Sequence, residues 1–286
     1  MHHRTTCAIA IAVVAAACNR EKPAPPADQS AAPPAAEPAA PPAVTYTATD
    51  YSFDGPSETP AGPTQIRLVN HGKEPHHLVV IRIEEGRTFD SLQAALRKPE
   101  MPPRWAHPIG GPNGVSPSLE SEANLALAAG NYAIVCFVPS RDGVPHLAKG
   151  MIRQLTVTPN DRPAAEPPAD VTMDLTDYDF KLSAPLTAGR RVIQVTNGAQ
   201  QIHELVVVRL EKGKTVGDMA KWELSSRKGP APGRYIGGMS PMAPGDKGQF
   251  TMTFEPGAYG FICFAPDMKD GKPHVLHGMT KDVTVS

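Results

Sequence analysis

The sequence predicts an all-β protein composed of two tandem β-sandwiches, each with a short helix in a long connection. Glycine and proline are abundant, with 24 and 32 of the 286 residues, while aromatic residues make up only 6%. Short runs alternate between apolar and polar residues, which is the period of half-buried strands. The second half of the chain also repeats the first, so the fold of one half is predicted twice.

The repeat defines the domain organisation. "DYSF" at 50–53 returns as "DYDF" at 177–180, and other segments keep this offset of 127 residues up to the cysteine of each copy, after which it becomes 128. A Pro/Ala-rich segment separates the two copies and has the composition of a linker. We therefore predict one domain at 44–158, a linker at 159–170 and a second domain at 171–286.

Each half contains several short strands and one helix. The strand-like runs are "TQIRLVN", "LVVIRI" and "NYAIVCF" in the first half, and "RVIQVTN", "ELVVVRL" and "AYGFICF" in the second. Residues 88–97 have a helical pattern, and 215–222 repeat it more weakly. Strands that bury one face must pair into packed layers, so each half is predicted to be a sandwich.

The N-terminus predicts export. A short basic start precedes an apolar run that is too short to span a bilayer, which is the layout of a secretory signal. Ala15–Ala17 before Cys18 resemble a bacterial lipobox, which implies a lipoprotein signal peptide at 1–17 and lipidation of Cys18. Ordinary cleavage after Ala17, without a lipid, is the alternative. By the same resemblance, Asn19 favours the outer membrane over the inner one.

A tether separates this anchor from the folded part. Residues 23–43 contain 17 Ala or Pro in 21 positions, a composition that cannot bury a core and favours an extended chain. We therefore expect a tether at 18–43 and a location on the periplasmic face of the bacterial envelope. With 28 basic and 29 acidic residues, the chain lacks the basic footprint of a nucleic-acid-binding protein.

Each half contains four residues that can bind a soft or borderline metal. They are His76, Cys136, His146 and Met151 in the first half, and His203, Cys263, His274 and Met279 in the second. In both halves the first His precedes the Cys by 60 residues, and the Met follows the second His by five. Two imidazoles, a thiolate and a weak thioether form the ligand set of a blue-copper electron-transfer site.

At these residues the chain resembles the cupredoxin (plastocyanin/azurin) family over both halves. The resemblance is carried by Tyr-x-Phe at 51–53 and 178–180, Asn-x-Gly-x3-His at 70–76, and by Gly-x-Tyr-x3-Cys and His-x4-Met in both halves. It implies a Greek-key sandwich and one type 1 copper ion per domain, up to two in the chain.

The resemblance also implies a function. A cupredoxin carries single electrons, and the imidazole edge of His146 or His274 would lie near the surface as the port where a redox partner docks. Copper delivery between a copper donor and an acceptor would use the same ligands, so it stays open. The oligomeric state also stays open.

Two features depart from the family pattern. Nine residues separate Cys136 from His146 and ten separate Cys263 from His274, where the family usually has two to four. "DG" in both inserts favours a turn, so the extra residues are predicted to loop out. The residue after the first His, often Asn in the family, is His77 or Glu204 here.

Other interpretations remain. Cys136 and Cys263 could form a disulfide in an oxidising compartment, or be buried in a metal-free interaction module. A multicopper oxidase or nitrite reductase, built on the same fold, is not expected, because the Cys neighbours are not His and the mature chain has no His-x-His triplet. A homotrimer could still assemble a site from His71, His77 and His107.

Overall fold

The computed structural model describes residues 41–97, 102–161, 164–225 and 227–286. Within these ranges the chain consists of β-strands with two α-helices and two short 3-10 helices, which confirms the predicted all-β sandwich class. The predicted signal peptide, Cys18 and nearly all of the tether lie outside the described residues. Among the described residues no helix is long and apolar enough to cross a membrane.

The first half contributes nine strands and one α-helix to the described part of the chain. The strands are β1 (Ala43–Thr49), β2 (Ser52–Asp54), β3 (Glu58–Pro60), β4 (Gly62–Asn70), β5 (Val79–Ile83), β6 (Ala106–Pro108), β7 (Glu120–Leu127), β8 (Gly130–Val135) and β9 (Ile152–Thr158), and the helix is α1 (Phe89–Leu96). A 3-10 helix spans His146–Lys149.

The second half repeats this arrangement with eight strands in the described residues. They are β10 (Val171–Thr176), β11 (Asp179–Leu182), β12 (Gly189–Asn197), β13 (His203–Leu210), β14 (Gly233–Met242), β15 (Lys247–Phe254), β16 (Gly257–Ile262) and β17 (Thr280–Val285), with α2 at Val216–Leu224. A second 3-10 helix spans His274–His277.

Each half is a two-layered sandwich. In the first half, β2-β1-β4-β7 form one layer and β3-β9-β8-β5-β6 form the other. Ile66 and Leu68 from β4 pack in one core with Val80 from β5 and Ile134 from β8. The corresponding layers of the second half are β11-β10-β12-β15 and β14-β13-β16-β17.

The helices cover the outer face of the second layer, which explains the continuous apolar runs in the sequence. Val79 and Ile81 of β5 pack with Leu92 of α1, and Val206 of β13 packs with Met219 of α2. A strand buried on both faces needs apolar residues at every position, not only at alternate ones.

Both predicted helices form, and the same capping motif begins each one. Thr88 accepts a hydrogen bond from the Ser91 amide, and Thr215 accepts one from the Asp218 amide. In each case the third residue of the helix also bonds back to the backbone of the threonine, completing a capping box. This motif satisfies amide groups that a helix start leaves without partners.

The two halves are joined through their strands into one compact unit that includes all the described residues. Antiparallel pairing of β15 with β7 fuses the first layers into one eight-stranded sheet. The sequence left open whether the halves pack together, and the structure shows that they do. The domain boundaries at 158 and 171 stay a prediction, because the two halves form one continuous sheet in this structure.

A pseudo-two-fold axis relates the two halves. Ala123 pairs with Phe250 in the shared sheet, and Pro112 forms a bridge with Met239. Each of these pairs joins residues that occupy the same position in the two repeats, 127 residues apart. A contact in which equivalent residues meet each other is isologous, as in a symmetric dimer.

Candidate metal centres

The structure brings together three of the residues predicted to bind metal in the first half. His76 follows β4, Cys136 directly follows β8, and His146 begins the 3-10 helix. The Cys136 Sγ lies 4.0 Å from Nδ1 of His76 and 3.4 Å from Nδ1 of His146. All three side chains are fully buried.

The second half repeats this geometry closely. Cys263 Sγ lies 3.8 Å from Nδ1 of His203 and 3.4 Å from Nδ1 of His274, and these side chains are also fully buried. The three donor atoms of each group lie within 4.8 Å of one another. The sequence-predicted His, Cys and His of each repeat therefore converge on one point.

The backbone places the predicted methionine beside each group. The Cys136 amide donates to the Met151 carbonyl, and the Met151 amide donates to the His146 carbonyl, with N–O distances of 3.2 and 3.0 Å. Met279 makes the same two bonds with Cys263 and His274, at 3.3 and 3.1 Å. Both methionine side chains are fully buried.

The insert between the Cys and the second His is a tight hairpin, as predicted. In the first half Pro139 pairs with Pro145, and the His146 amide donates to the Val138 carbonyl at 2.9 Å. The Asp-Gly turn at 142–143 closes it, with Gly143 at a φ of 82°. The hairpin returns the chain to the cysteine, so the long insert does not separate the ligands.

The second insert folds in the same way. Pro266 pairs with Pro273, Gly271 has a φ of 71°, and the His274 amide donates to the Ala265 carbonyl at 2.9 Å. One extra residue in this insert is absorbed within the turn.

The donor set fits a copper ion. Metal–nitrogen bonds of about 2.0 Å and metal–sulfur bonds of about 2.3 Å in a trigonal plane place the nitrogen and sulfur atoms about 3.7 Å apart. The observed nitrogen–sulfur distances of 3.4, 3.8 and 4.0 Å bracket this value. Both cysteines are free thiols, so the structure does not show the alternative disulfide.

Burial sets the protonation of the ligands. It raises the pKa of the Cys136 thiol to about 12 and lowers the pKa of His274 to about 4. Burial also raises the pKa of Cys263 and lowers the pKa of His76, His146 and His203. The imidazoles are therefore neutral at pH 7, and a metal ion must displace a proton from each thiol.

Carboxylates orient three of the four imidazoles, a feature that the sequence reasoning missed. Nε2 of His76 lies 2.8 Å from Asp50, and Nε2 of His146 lies 2.9 Å from Glu74. Nε2 of His203 lies 3.1 Å from Asp177. A proton shared with a carboxylate at Nε2 leaves Nδ1 free to bind a metal. Asp50 and Asp177 begin the repeated "DY-x-F" motif, so a sequence signal for them existed.

The fourth imidazole differs. Among the described residues His274 Nε2 has no hydrogen-bond partner, and the Asp267 carboxylate lies 3.6 Å away. The position equivalent to Glu74 is Gln201, which donates to Asp267 and Asp177. The two centres therefore share their ligands and differ in what surrounds the second histidine.

The imidazole edges that were predicted to lie near the surface are covered by neighbouring side chains. The side chains of His146 and His274 have no exposed area. Tyr51 lies against the His146 ring with centroids 4.8 Å apart, and Tyr178 lies against the His274 ring at 5.6 Å. These tyrosines and the nearby carboxylates cover the ring edges.

The residues after the first histidine brace the backbone beside the cysteine. His77 Nε2 accepts the amide hydrogen of Phe137 at 2.8 Å, and Glu204 Oε1 accepts that of Phe264 at 3.1 Å. Burial lowers the pKa of His77 to about 3 and raises that of Glu204 to about 7.

The remaining described histidines lie outside the centres. His107 forms an ion pair with Asp246 of the other half at 2.8 Å, and His71 is exposed. His277 lies 3.2 Å from Asp270, close to Asp267. Asp270 and His277 already pair with each other, so we assign them no ligand role.

A cleft lies between the two halves, next to both centres. Its volume is about 490 Å³ and most of its lining is apolar. Phe137 and Phe264, each adjacent to a cysteine, line it together with His77, Asn113 and Glu204. The cleft therefore brings polar side chains of both halves, His77 and Asn113 from the first and Glu204 from the second, into one lining.

Solved structures similar to this chain include cupredoxins and copper enzymes. Auracyanin A, a "blue" copper protein from Chloroflexus aurantiacus, is 19% identical over 42% of this chain and 100% of its own, with a TM-score of 0.30. A multicopper oxidase is 14% identical over 85% of this chain and 88% of its own, with a TM-score of 0.26. A copper-containing nitrite reductase from Thermus scotoductus SA-01 is 11% identical over 85% of this chain and 61% of its own, with a TM-score of 0.24.

No protein-family model and no curated protein sequence matches the chain. The expectation that this protein is not an enzyme stays a prediction.

Proposed function

We propose that this protein binds one type 1 copper ion in each half and carries single electrons. The observation that supports the proposal is the same buried group in both halves, two Nδ1 atoms and one Sγ, with nitrogen–sulfur distances between 3.4 and 4.0 Å. Two imidazoles and a thiolate are the equatorial ligands of a blue-copper site.

Copper supplies a one-electron couple between Cu(I) and Cu(II), and the protein holds its ligands in place. Asp50 and Glu74 orient the imidazoles of the first centre, while His77 fixes the backbone after Cys136. Rigid ligands keep the geometry similar in both oxidation states, which favours fast electron transfer. Complete burial of the donors favours electron transfer over copper delivery, because a delivered ion must pass between exposed ligands.

Copper stoichiometry tests the proposal. Residues 44–286, purified without metal and loaded with Cu(II), should bind two copper ions by elemental analysis and show intense thiolate-to-copper absorption. Cys136→Ser and Cys263→Ser should each remove about half of this absorption, since each leaves one complete site. A colourless protein with free thiols and no bound copper would refute the proposal and favour the metal-free interaction module.

We also propose that a lipid on Cys18 anchors the protein in the bacterial envelope, facing the periplasm, where a redox partner protein exchanges electrons with it. The lipobox-like residues before Cys18 and the tether after it support this. Metabolic labelling with a radioactive fatty acid should mark the wild-type protein and not the Cys18→Ala variant. Equal labelling of both would contradict the anchor.

A further inference from the structure

The two centres differ at one equivalent position. Glu74 in the first half places a carboxylate 2.9 Å from His146 Nε2, whereas the equivalent residue in the second half is the amide Gln201. Asp267 lies near His274, but its oxygens already accept hydrogen bonds from Tyr178, Gln201 and the Lys269 amide. His274 Nε2 is left without a partner among the described residues.

This difference affects how easily a copper ion bound at each centre would be reduced. A carboxylate that accepts the Nε2–H proton makes an imidazole a stronger donor, which stabilises the more highly charged Cu(II) state. Both imidazoles of the first centre have such a partner, at 2.8 and 2.9 Å, while the second centre has one, at 3.1 Å.

A contact to the cysteine sulfur is shared by the two centres and does not set them apart. The Glu204 amide donates to Cys263 Sγ at 3.4 Å, and the equivalent amide of His77 contacts Cys136. A hydrogen bond to the thiolate withdraws electron density from sulfur, and such bonds raise the potential of a metal–thiolate centre. The Glu204 carboxylate opposes this effect when it is ionised, but Asn113 and the Phe264 amide donate to its two oxygens and so spread its charge.

Polar side chains between the two halves lie on a path from one centre to the other. The amide of Phe137, next to Cys136, donates to His77 Nε2, and His77 lines the cleft together with Asn113. Asn113 Nδ2 donates to Glu204 Oε2 at 2.9 Å, and the other oxygen of Glu204 accepts from the amide of Phe264, next to Cys263. Asn113 is 1% exposed, so the central residue of this bridge is buried at the base of the cleft.

We propose that the two centres form an internal electron relay, in which the first half donates and the second half accepts through the bridge at Asn113. In one step, the first centre is oxidised by one electron and the second centre is reduced by that electron, with no net proton transfer. The inference rests on the proposed copper function and adds a direction and a path to it.

The direction is tested by comparing the two centres separately. Cys263→Ser isolates the first centre and Cys136→Ser isolates the second, and each is titrated against redox dyes while its absorption is followed. The second centre should hold the electron at least tenfold more strongly, equivalent to a difference of about 59 mV for one electron. Equal or reversed potentials overturn the relay, whereas failure to bind two copper ions overturns the proposed function itself.

The role of Glu74 is tested in the Cys263→Ser protein. Glu74→Gln should raise the potential of the first centre and remove most of the difference between the centres, while Glu74→Asp, which keeps a carboxylate, should shift it less. Asp142→Asn is the matched control, because that carboxylate is 57% exposed and pairs with Lys149. An equal shift for Asp142→Asn and Glu74→Gln would overturn the role assigned to Glu74.

The path is tested in the doubly loaded protein. After pulsed addition of less than one electron per molecule, the wild type should show a fast phase in which the electron moves to the second centre. Asn113→Ser, which introduces the residue found at the equivalent position 240, should slow this phase by more than the change it causes in the difference between the two potentials can explain. If Asn113→Ser misfolds, the test uses the wild type alone. The relay is then overturned if no phase of electron transfer from the first centre to the second is seen.

Discussion

At the residue scale, positions 77 and 204 show how equivalent places in a repeat can diverge chemically and keep one structural role. Each side chain accepts the amide hydrogen that follows the cysteine. One is an imidazole and the other a carboxyl group, and burial disfavours the charged form of both. The shared requirement is a hydrogen-bond acceptor at this place, which a ring nitrogen of His77 and a carboxyl oxygen of Glu204 both provide.

Glu204 should make the copper-free protein less stable as the pH rises. Its pKa is about 7 in the folded state against an ordinary 4.5, so the folded state favours the protonated form. Its contribution to stability is complete below pH 4.5 and is lost as the pH rises through 7, by about 3 kcal/mol. Urea denaturation at pH 5 and pH 8 should show a larger fall in unfolding free energy for the wild type than for Glu204→Gln. Identical falls would contradict the raised pKa.

At the element scale, the hairpins after the cysteines position the second histidine of each centre. Gly143 and Gly271 have positive φ values of 82° and 71°, which residues with a Cβ adopt at a cost. A Cβ at either glycine would meet no atom within 4 Å, so only the backbone conformation is at stake.

Gly143→Ala should therefore lower the unfolding free energy by about 1 kcal/mol, because alanine resists the left-handed conformation. It should also weaken copper binding at the first centre, with the unchanged second centre as an internal reference. Gly143→Asn should cost less, since asparagine tolerates this conformation better. Copper titration with urea denaturation measures both effects, and equal losses for alanine and asparagine would show that the turn does not control the site.

Repeats made much of each centre predictable from the sequence. The matched spacing in the two repeats predicted four ligands in each half, of which the two histidines and the cysteine converge, and the Asp-Gly pairs predicted the hairpins. The carboxylate at Glu74 was not predictable in this way, because its counterpart is an amide. Asn113 was also missed, since it bridges the halves and its position is occupied by serine in the other repeat.

At the scale of the whole molecule, the two halves behave as a covalently linked pseudo-dimer. The same contact occurs twice, once on each side of the axis. Ile109 pairs with Met242, and Val115 pairs with Ile236. Ile236 is the equivalent of Ile109 in the second repeat, and Met242 is the equivalent of Val115. No sequence pattern specified this pairing, because strand edges that can join carry the same alternation as edges that stay free. The relay depends on this arrangement, since Asn113 of one half meets Glu204 of the other at 2.9 Å.

Because the interface is self-complementary, the first half expressed alone should form a homodimer. A fragment of residues 41–161 exposes the edge of β7, and an open strand edge pairs readily with another strand. In the full chain Ala123 pairs with Phe250, the equivalent residue of the second repeat. In a homodimer of the fragment, Ala123 of a second copy can take the position of Phe250. Sedimentation equilibrium should give twice the fragment mass, and adding the fragment of residues 164–286 should convert the homodimer into a mixed dimer. A fragment that stays monomeric at every concentration would show that the axis relates the halves only because a linker holds them together.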